Sequence, residues 1–555
     1  MKRRSSGRDA FLSVLADEGV DHLFGNPGTT ELAIMEAIGK RGDIRFVLGL
    51  QESSVVAMAD GFARASNRLT ACNVHVAPGL GNAMGSLFGA RFCHSPLILT
   101  AGQQEQGHGL TEPLLYGPLV AMAQPLVKWA IEVTRVEDLP RIVRRAAKVA
   151  LTPPTGPVFI SLPGDVLDAE ADLEMGKPTR VDACVRPSDE ALAQLAAKLL
   201  AAKNPVILAG QEIANHDAFA EAAELAELLG AAVYQQPIPY CAQFPSAHPA
   251  YLGALTRSQK QVHALLEPYD LMLCLGADLL RMSVYSPSAP LPENLPVVHI
   301  SERAWELGKN YPTELALCAN VKETLHALLP LLRAQRSSAQ AAAAKARLAA
   351  LKARNWSAQR EQARSEIMRA AQTKPIDPRY LMLALSETLP PNAIVVEEAL
   401  TSSTALPGLL ELRDRRSYYG LASGGLGFGM PGAVGISLAQ PGRPVAAVIG
   451  DGSVMYGVQA LWTAAHLKLP VTYVITNNRS YRILKERLIS MRSTDRFTGM
   501  DIRDPAIDYT GLAHSLGVAA ERVTDPQAIA PALKGALESG GPHLIEVMVA
   551  DGFGG

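Results

Sequence analysis

Asp451 stands between two glycines in "AAVIGDGSVMYG", residues 446–457, where a short apolar run stops. The next apolar run, "VTYVIT" at 471–476, ends in Asn477-Asn478. A carboxylate and an amide oxygen at the ends of neighbouring strands, with a backbone carbonyl close by, form a set of hard oxygen donors suited to Mg²⁺. That ion keeps water and completes its shell from a phosphate. The order strand, tight turn, helix also aims backbone N–H groups, and the positive end of a helix predicted over 453–468, at the same phosphate. A G-D-G turn by itself is common in loops. Asn478, 27 residues after Asp451 with a helix and a strand between, makes the pair more specific.

Parallel sheets bind ligands beyond the carboxyl ends of their strands, so such residues need a sheet behind them. Apolar strand-like runs alternate with helical patterns along all 555 residues. They fall into three groups: "FVLGL", "LTACNVHV", "SPLILTAG" and "PVFISLP"; then "NPVILAG", "LMLCLG" and "PVVHIS"; then "AIVVEE", "PVAAVIGDG", "PVTYVITNN" and "HLIEVMV". Runs apolar on both faces belong in parallel sheets covered by helices, which predicts an α/β protein of three doubly wound parallel-sheet domains. The boundaries expected are 1–184, 185–340 and 341–555, the last beginning with an exposed Ala-, Lys- and Arg-rich helical connector.

A net charge of −2 with 19% charged residues gives no electrostatic reason for nucleic acid or an anionic membrane as partner, and points to a small-molecule substrate. No run reaches the roughly 20 apolar residues of a membrane span, and the basic N-terminus acquires acids before any signal-peptide core, so a soluble cytoplasmic protein is expected. The six scattered cysteines form no C-x-x-C and read as buried free thiols. The stretch "LAGQEIANH" lacks a G-x-G-x-x-G turn, which argues against flavin and nicotinamide cofactors.

The G-D-G and NN pair resembles the diphosphate signature of thiamine diphosphate enzymes. The segments "FGNPGTTEL", "LQESSVVAMADGFA", "NVHVAPGLGNAMG", "HSPLILTAGQQ", "PLVKWA" and "GGLGFGMPGAVG" resemble, in the same order, those of the 2-oxo acid decarboxylases related to benzoylformate decarboxylase. The resemblance implies a pyrimidine-binding first domain, a central domain usually devoid of catalytic residues, a diphosphate-binding third domain, and active sites between the subunits of a homodimer or homotetramer. It implies that thiamine diphosphate is held through Mg²⁺ on Asp451, Asn478 and the carbonyl of Ser480, with Gly450, Gly452, Ser453 and Tyr481 around the diphosphate. By the same resemblance Glu52 hydrogen-bonds the pyrimidine ring nitrogen and so controls its tautomer, and Leu426 wedges the cofactor into a bent shape. His75 relays protons, and Thr29 takes the place of a serine that holds the substrate carboxylate. Thr29 equally suits the cap of the following helix.

Some positions depart from that pattern. The family's second active-site histidine, in a stretch resembling "GADLLRMSVY", corresponds here to Ser283, and His108 is either a substitute relay or a surface-loop histidine. Two pocket aromatics correspond to Gly420 and Arg487, which predicts a pocket enlarged by the lost ring and able to recognise a second anionic group. Leu114, Leu115 and Leu484 match apolar pocket positions. The basic run from Arg479 to Arg492 is either a solvated face or a phosphate contact. The function these features imply is decarboxylation of a bulky, aromatic 2-oxo acid; the alternative is a carbon–carbon lyase or carboligase handling 2-hydroxy ketones, favoured by the missing histidine. A cofactor-binding scaffold without catalysis is disfavoured because Glu52, Asp451 and Asn478 are all present.

Overall fold

The computed structural model describes residues 2–553. Its framework is three six-stranded sheets, all of whose strand pairs are parallel. The first runs in the order Arg45–Leu48, His22–Gly25, Thr70–Val74, Leu97–Gln103, Val158–Pro163, Ala130–Glu132. The third runs Tyr418–Gly420, Ile394–Glu398, Val445–Gly450, Val471–Asn477, His543–Met548, Ala519–Val523. Numbered along the chain, both read 2-1-3-4-6-5. The central sheet runs Tyr251–Ala254, Ala232–Gln235, Pro205–Ala209, Leu271–Leu275, Val297–Ser301, Leu315–Cys318, which reads 3-2-1-4-5-6.

The inner strands are buried along their whole length, as Val, Ile, Leu and Ala covered by helices on both faces must be. The first and third sheets share one continuous core, whereas the central sheet builds its own. Two helices join the first sheet to the third: Glu52–Ser66 lies against Gly429–Ala439. Glycines let them touch backbone to backbone, since a Cβ on Gly435 would stand 1.9 Å from the Met58 carbonyl oxygen and one on Gly61 would stand 2.4 Å from that of Gly432.

Three sequence expectations need correction. The helix predicted over 453–468 is broken into Asp451–Val454 and Ala460–Leu467, with a turn where Gly457 packs on Pro431 too closely for any side chain. The connector forms helices Ser338–Leu351 and Trp356–Met368 but is not simply exposed: Ala344 packs on Gly230, and buried Trp356 donates its indole N–H to the Pro407 carbonyl at 3.0 Å. All six cysteines are free, four of them buried, but Cys184 and Cys318 are exposed. A two-stranded antiparallel ribbon, Lys2–Ser6 with Glu170–Glu174, carried no apolar signal in the sequence. Among the described residues no helix is long and apolar enough to cross a membrane.

Candidate active site

The switch point of the third sheet lies between Ile394–Glu398 and Val445–Gly450, the place where a doubly wound sheet opens a crevice beyond its carboxyl ends. Asp451 follows the second of these strands, and Gly450 is in register with Thr476, so Asp451 lies beside Asn477 and Asn478 at the end of the next strand. The Asp451 carboxylate is buried; Oδ1 accepts the Gly452 N–H at 2.8 Å, and Oδ2 has no partner. Burial pushes its carboxyl up to about 6, against the opposing pull of backbone N–H groups at Gly452, Arg479, Ser480 and Asn478. Asn478 and Ser480 are also buried, and the Asn478 side-chain oxygen accepts the Ser480 N–H at 2.9 Å across a turn that puts Arg479 at φ +56°. Gly450 and the buried Gly452 and Ser453 complete the turn, and the Tyr481 ring lies so close to Gly452 that a Cβ there would meet it at 2.6 Å. A partnerless buried carboxylate oxygen beside the Asn478 turn fits a hard divalent cation that shares its shell with a phosphate. Among the described residues no three His, Cys, Asp or Glu side chains cluster as a metal site of their own.

Across the switch point, Glu398 holds the loop that carries Leu426. Buried at the end of its strand, it accepts the N–H groups of Gly427 at 2.7 Å and Gly429 at 2.5 Å. Half-buried Leu426 lines a cleft together with Ala57, Gly85, Ser86 and Phe428.

The first sheet has the same switch point between His22–Gly25 and Thr70–Val74, and the loops that leave it bring Glu31 to His75. The His75 Nδ1–H donates to Glu31 Oε2 at 2.8 Å, with the Thr30 hydroxyl 3.2 Å from the same nitrogen. Glu31 is fully buried and also accepts the N–H groups of Gly28 and Gly102 and the Thr30 hydroxyl. Glycines make this approach possible, because a Cβ on Gly28 would run into the His75 ring at 2.2 Å. Nδ1 therefore carries the proton, and Nε2 makes no hydrogen bond among the described residues. The next residue, buried Val76, is held at φ +37°, a strained conformation for a β-branched side chain at the start of a helix. Sequence reasoning missed Glu31 and Thr30. Thr29 is exposed and makes no hydrogen bond to His75 among the described residues; the hydroxyl at the imidazole is that of Thr30. Glu52 opens the helix Glu52–Ser66 as expected, and its Oε2 accepts the Asn82 amide at 3.1 Å.

The residues expected to form a pocket are not gathered into one cavity by a single chain. Leu114 is 89% exposed, Leu115 and Leu484 about half as much, and His108 lies on an exposed one-turn helix, its ring 3.2 Å from the Thr111 hydroxyl. Ser283 is exposed in the central part of the chain, and Arg487 is half-buried on the helix Arg482–Arg492. Gly420 does not enlarge a pocket. It is buried, donates to the Tyr240 carbonyl at 2.9 Å, and the place of its missing side chain is filled by the Tyr418 hydroxyl, 2.8 Å from where a Cβ would stand. In the central sheet the switch point is closed: Gly210 abuts Ala277, and buried Arg303 spans Glu212 at 2.7 Å and Asp278 at 2.5 Å.

Comparison with known proteins agrees with this geometry. Residues 5–114 match the N-terminal TPP binding domain of thiamine pyrophosphate enzymes, 192–328 their central domain and 403–547 their C-terminal TPP binding domain. Benzoylformate decarboxylase of Pseudomonas aeruginosa is 34% identical over 97% of this chain and 98% of its own length. Acetolactate synthase isozyme 1 large subunit of Escherichia coli is 27% identical over 99% of this chain and 94% of its own. A thiamine diphosphate-dependent 4-hydroxybenzoylformate decarboxylase of Rhodococcus jostii superposes with a TM-score of 0.87 at 33% identity, covering 98% of this chain and 99% of that one.

Proposed function

This chain belongs to the thiamine pyrophosphate enzymes, among the relatives of benzoylformate decarboxylase, and from that premise we propose that it converts a bulky, aromatic 2-oxo acid to the aldehyde and CO₂ without oxidation. The observation that carries the reading is the partnerless, buried oxygen of Asp451 beside Asn478. With Ser480 these residues would hold Mg²⁺ and, through it, thiamine diphosphate, while Tyr481 and the glycine turn flank the phosphates. When bound, that coenzyme supplies a carbon nucleophile and an electron sink for the pair left by departing CO₂. Glu52 would hold its pyrimidine nitrogen and Leu426 would support its bend. His75, fixed by Glu31, presents Nε2 to move a proton at the substrate oxygen, and the hydroxyl of Thr29 orients the substrate carboxylate. Leu114, Leu115 and Leu484 exclude water, and His108 serves as the second relay.

A homodimer or homotetramer with shared sites is the working form. The exposed apolar side chains Leu110, Leu114, Met455, Tyr456 and Leu484 support this.

Ser283 favours a second reading, a carboligase, because no imidazole stands there to protonate a carbanion before it meets an aldehyde. Holoprotein with Mg²⁺ and benzoylformate is expected to release CO₂ and benzaldehyde, and Glu52→Gln to reduce turnover at least a hundredfold with Mg²⁺ binding intact. No turnover across a panel of aryl and branched 2-oxo acids would reject decarboxylation. A 2-hydroxy ketone as main product with added aldehyde would favour the second reading.

A further inference from the structure

The helix Arg482–Arg492 begins one residue after the turn that carries Asn478 and Ser480, and its charges fall into two sets. Lys485 is buried, donates to Asp501 at 2.7 Å, and lies against the rings of Phe497 and Phe553. Arg482 pairs with Glu486 at 2.8 Å. On another side Leu484, Arg487 and Met491, three and four residues apart, form one stripe. Leu484 and Met491 are large exposed apolar side chains, and Arg487 between them is half-buried and makes no ion pair among the described residues.

This stripe leads away from Tyr481, whose ring lies on Gly452 beside Asp451. Arg487 is five residues beyond Arg482, roughly 8 Å along the helix at 1.5 Å per residue. Any molecule that covers Leu484 and Met491 withdraws the Arg487 guanidinium from water. That is costly unless the molecule brings an oxyanion to it, and a planar guanidinium suits a carboxylate with two parallel hydrogen bonds.

We propose that Arg487 binds a second carboxylate carried by the substrate at the end remote from its 2-oxo acid, so that the natural substrate is an anionic-ring or dicarboxylic 2-oxo acid. This rests on the decarboxylase reading above for the reacting end of the molecule, and on the stripe alone for the remote end.

The test compares 4-carboxyphenylglyoxylate with its neutral, equal-sized 4-carbamoyl analogue as substrates of the holoenzyme. In parallel, binding of the unreactive 4-carboxymandelate and 4-carbamoylmandelate is followed by calorimetry. A preference for the carboxylate of about tenfold is expected in both kcat/KM and Kd, falling to about one in Arg487→Gln and kept in part in Arg487→Lys. The same ratio in Arg487→Gln as in the unaltered protein overturns the proposal. Equal weakening of both members of each pair, or a shift of Arg487→Gln to smaller oligomers, also overturns it, since Arg487 would then serve packing or a subunit contact. If no 2-oxo acid is turned over while calorimetry shows the Arg487-dependent preference, the decarboxylase reading fails and the anion site stands.

Discussion

An imidazole can pass protons to a substrate only if one ring nitrogen is free and aimed, and the partner of the other nitrogen decides which. In this protein that partner is Glu31, buried and satisfied by four donors, so the His75 ring is held by a rigid anchor. His75→Ala and Glu31→Gln are each expected to lower kcat/KM about a hundredfold. Because they remove one unit, the double variant should lose no more than the worse single one; losses that multiply would show two independent roles. The contrast with Asp451 explains what could be read from the chain. Asp451 and Asn478 each sit in a short pattern at a strand end, so residue order alone exposes them. Glu31 lies 44 residues from His75 in a stretch that reads as an ordinary helix start, and only the 2-1-3-4-6-5 strand order makes them neighbours.

At the scale of elements, the loop carrying Leu426 is held by Glu398 from the adjacent strand. Burial raises the Glu398 carboxyl from its ordinary 4.5 to about 7, although the Gly427 and Gly429 amides pull the other way. The folded protein therefore keeps this proton at pH values where the unfolded chain has released it, and the contribution of Glu398 to stability falls as pH rises from about 4.5 to about 7. Thermal melts across that range should show the decline in the unaltered protein relative to Glu398→Gln; parallel curves would remove the carboxyl as its source. The strands were legible because inner strands of a covered parallel sheet are apolar throughout. The break after Val454 was not, since it arises where Gly457 meets Pro431, a contact between segments with no mark in local sequence. Gly420 misled for the same reason: a small residue leaves a gap only if nothing else fills it, and Tyr418 does.

For the whole molecule, the proposed sharing of active sites predicts complementation. Glu52→Gln and Asp451→Ala proteins, each inactive alone, should regain up to about a quarter of full activity when unfolded and refolded together, because half the dimers are mixed and half the sites of each are intact. No recovery would place both residues in one chain's own site.

The common strand order of the first and third sheets has a further implication. In both, the helix between the second and third strands is the one that makes the contact: Glu52–Ser66 in one and Gly429–Ala439 in the other. A single polypeptide thus contains an approximate two-fold axis, its ends paired like the halves of a symmetric dimer by equivalent surfaces. The middle third, its own crevice shut by Arg303, is spliced between them as an insert. A chain cut in the connector near Ser337 should accordingly reassemble from its two fragments, because the mirrored helices carry the instructions for docking.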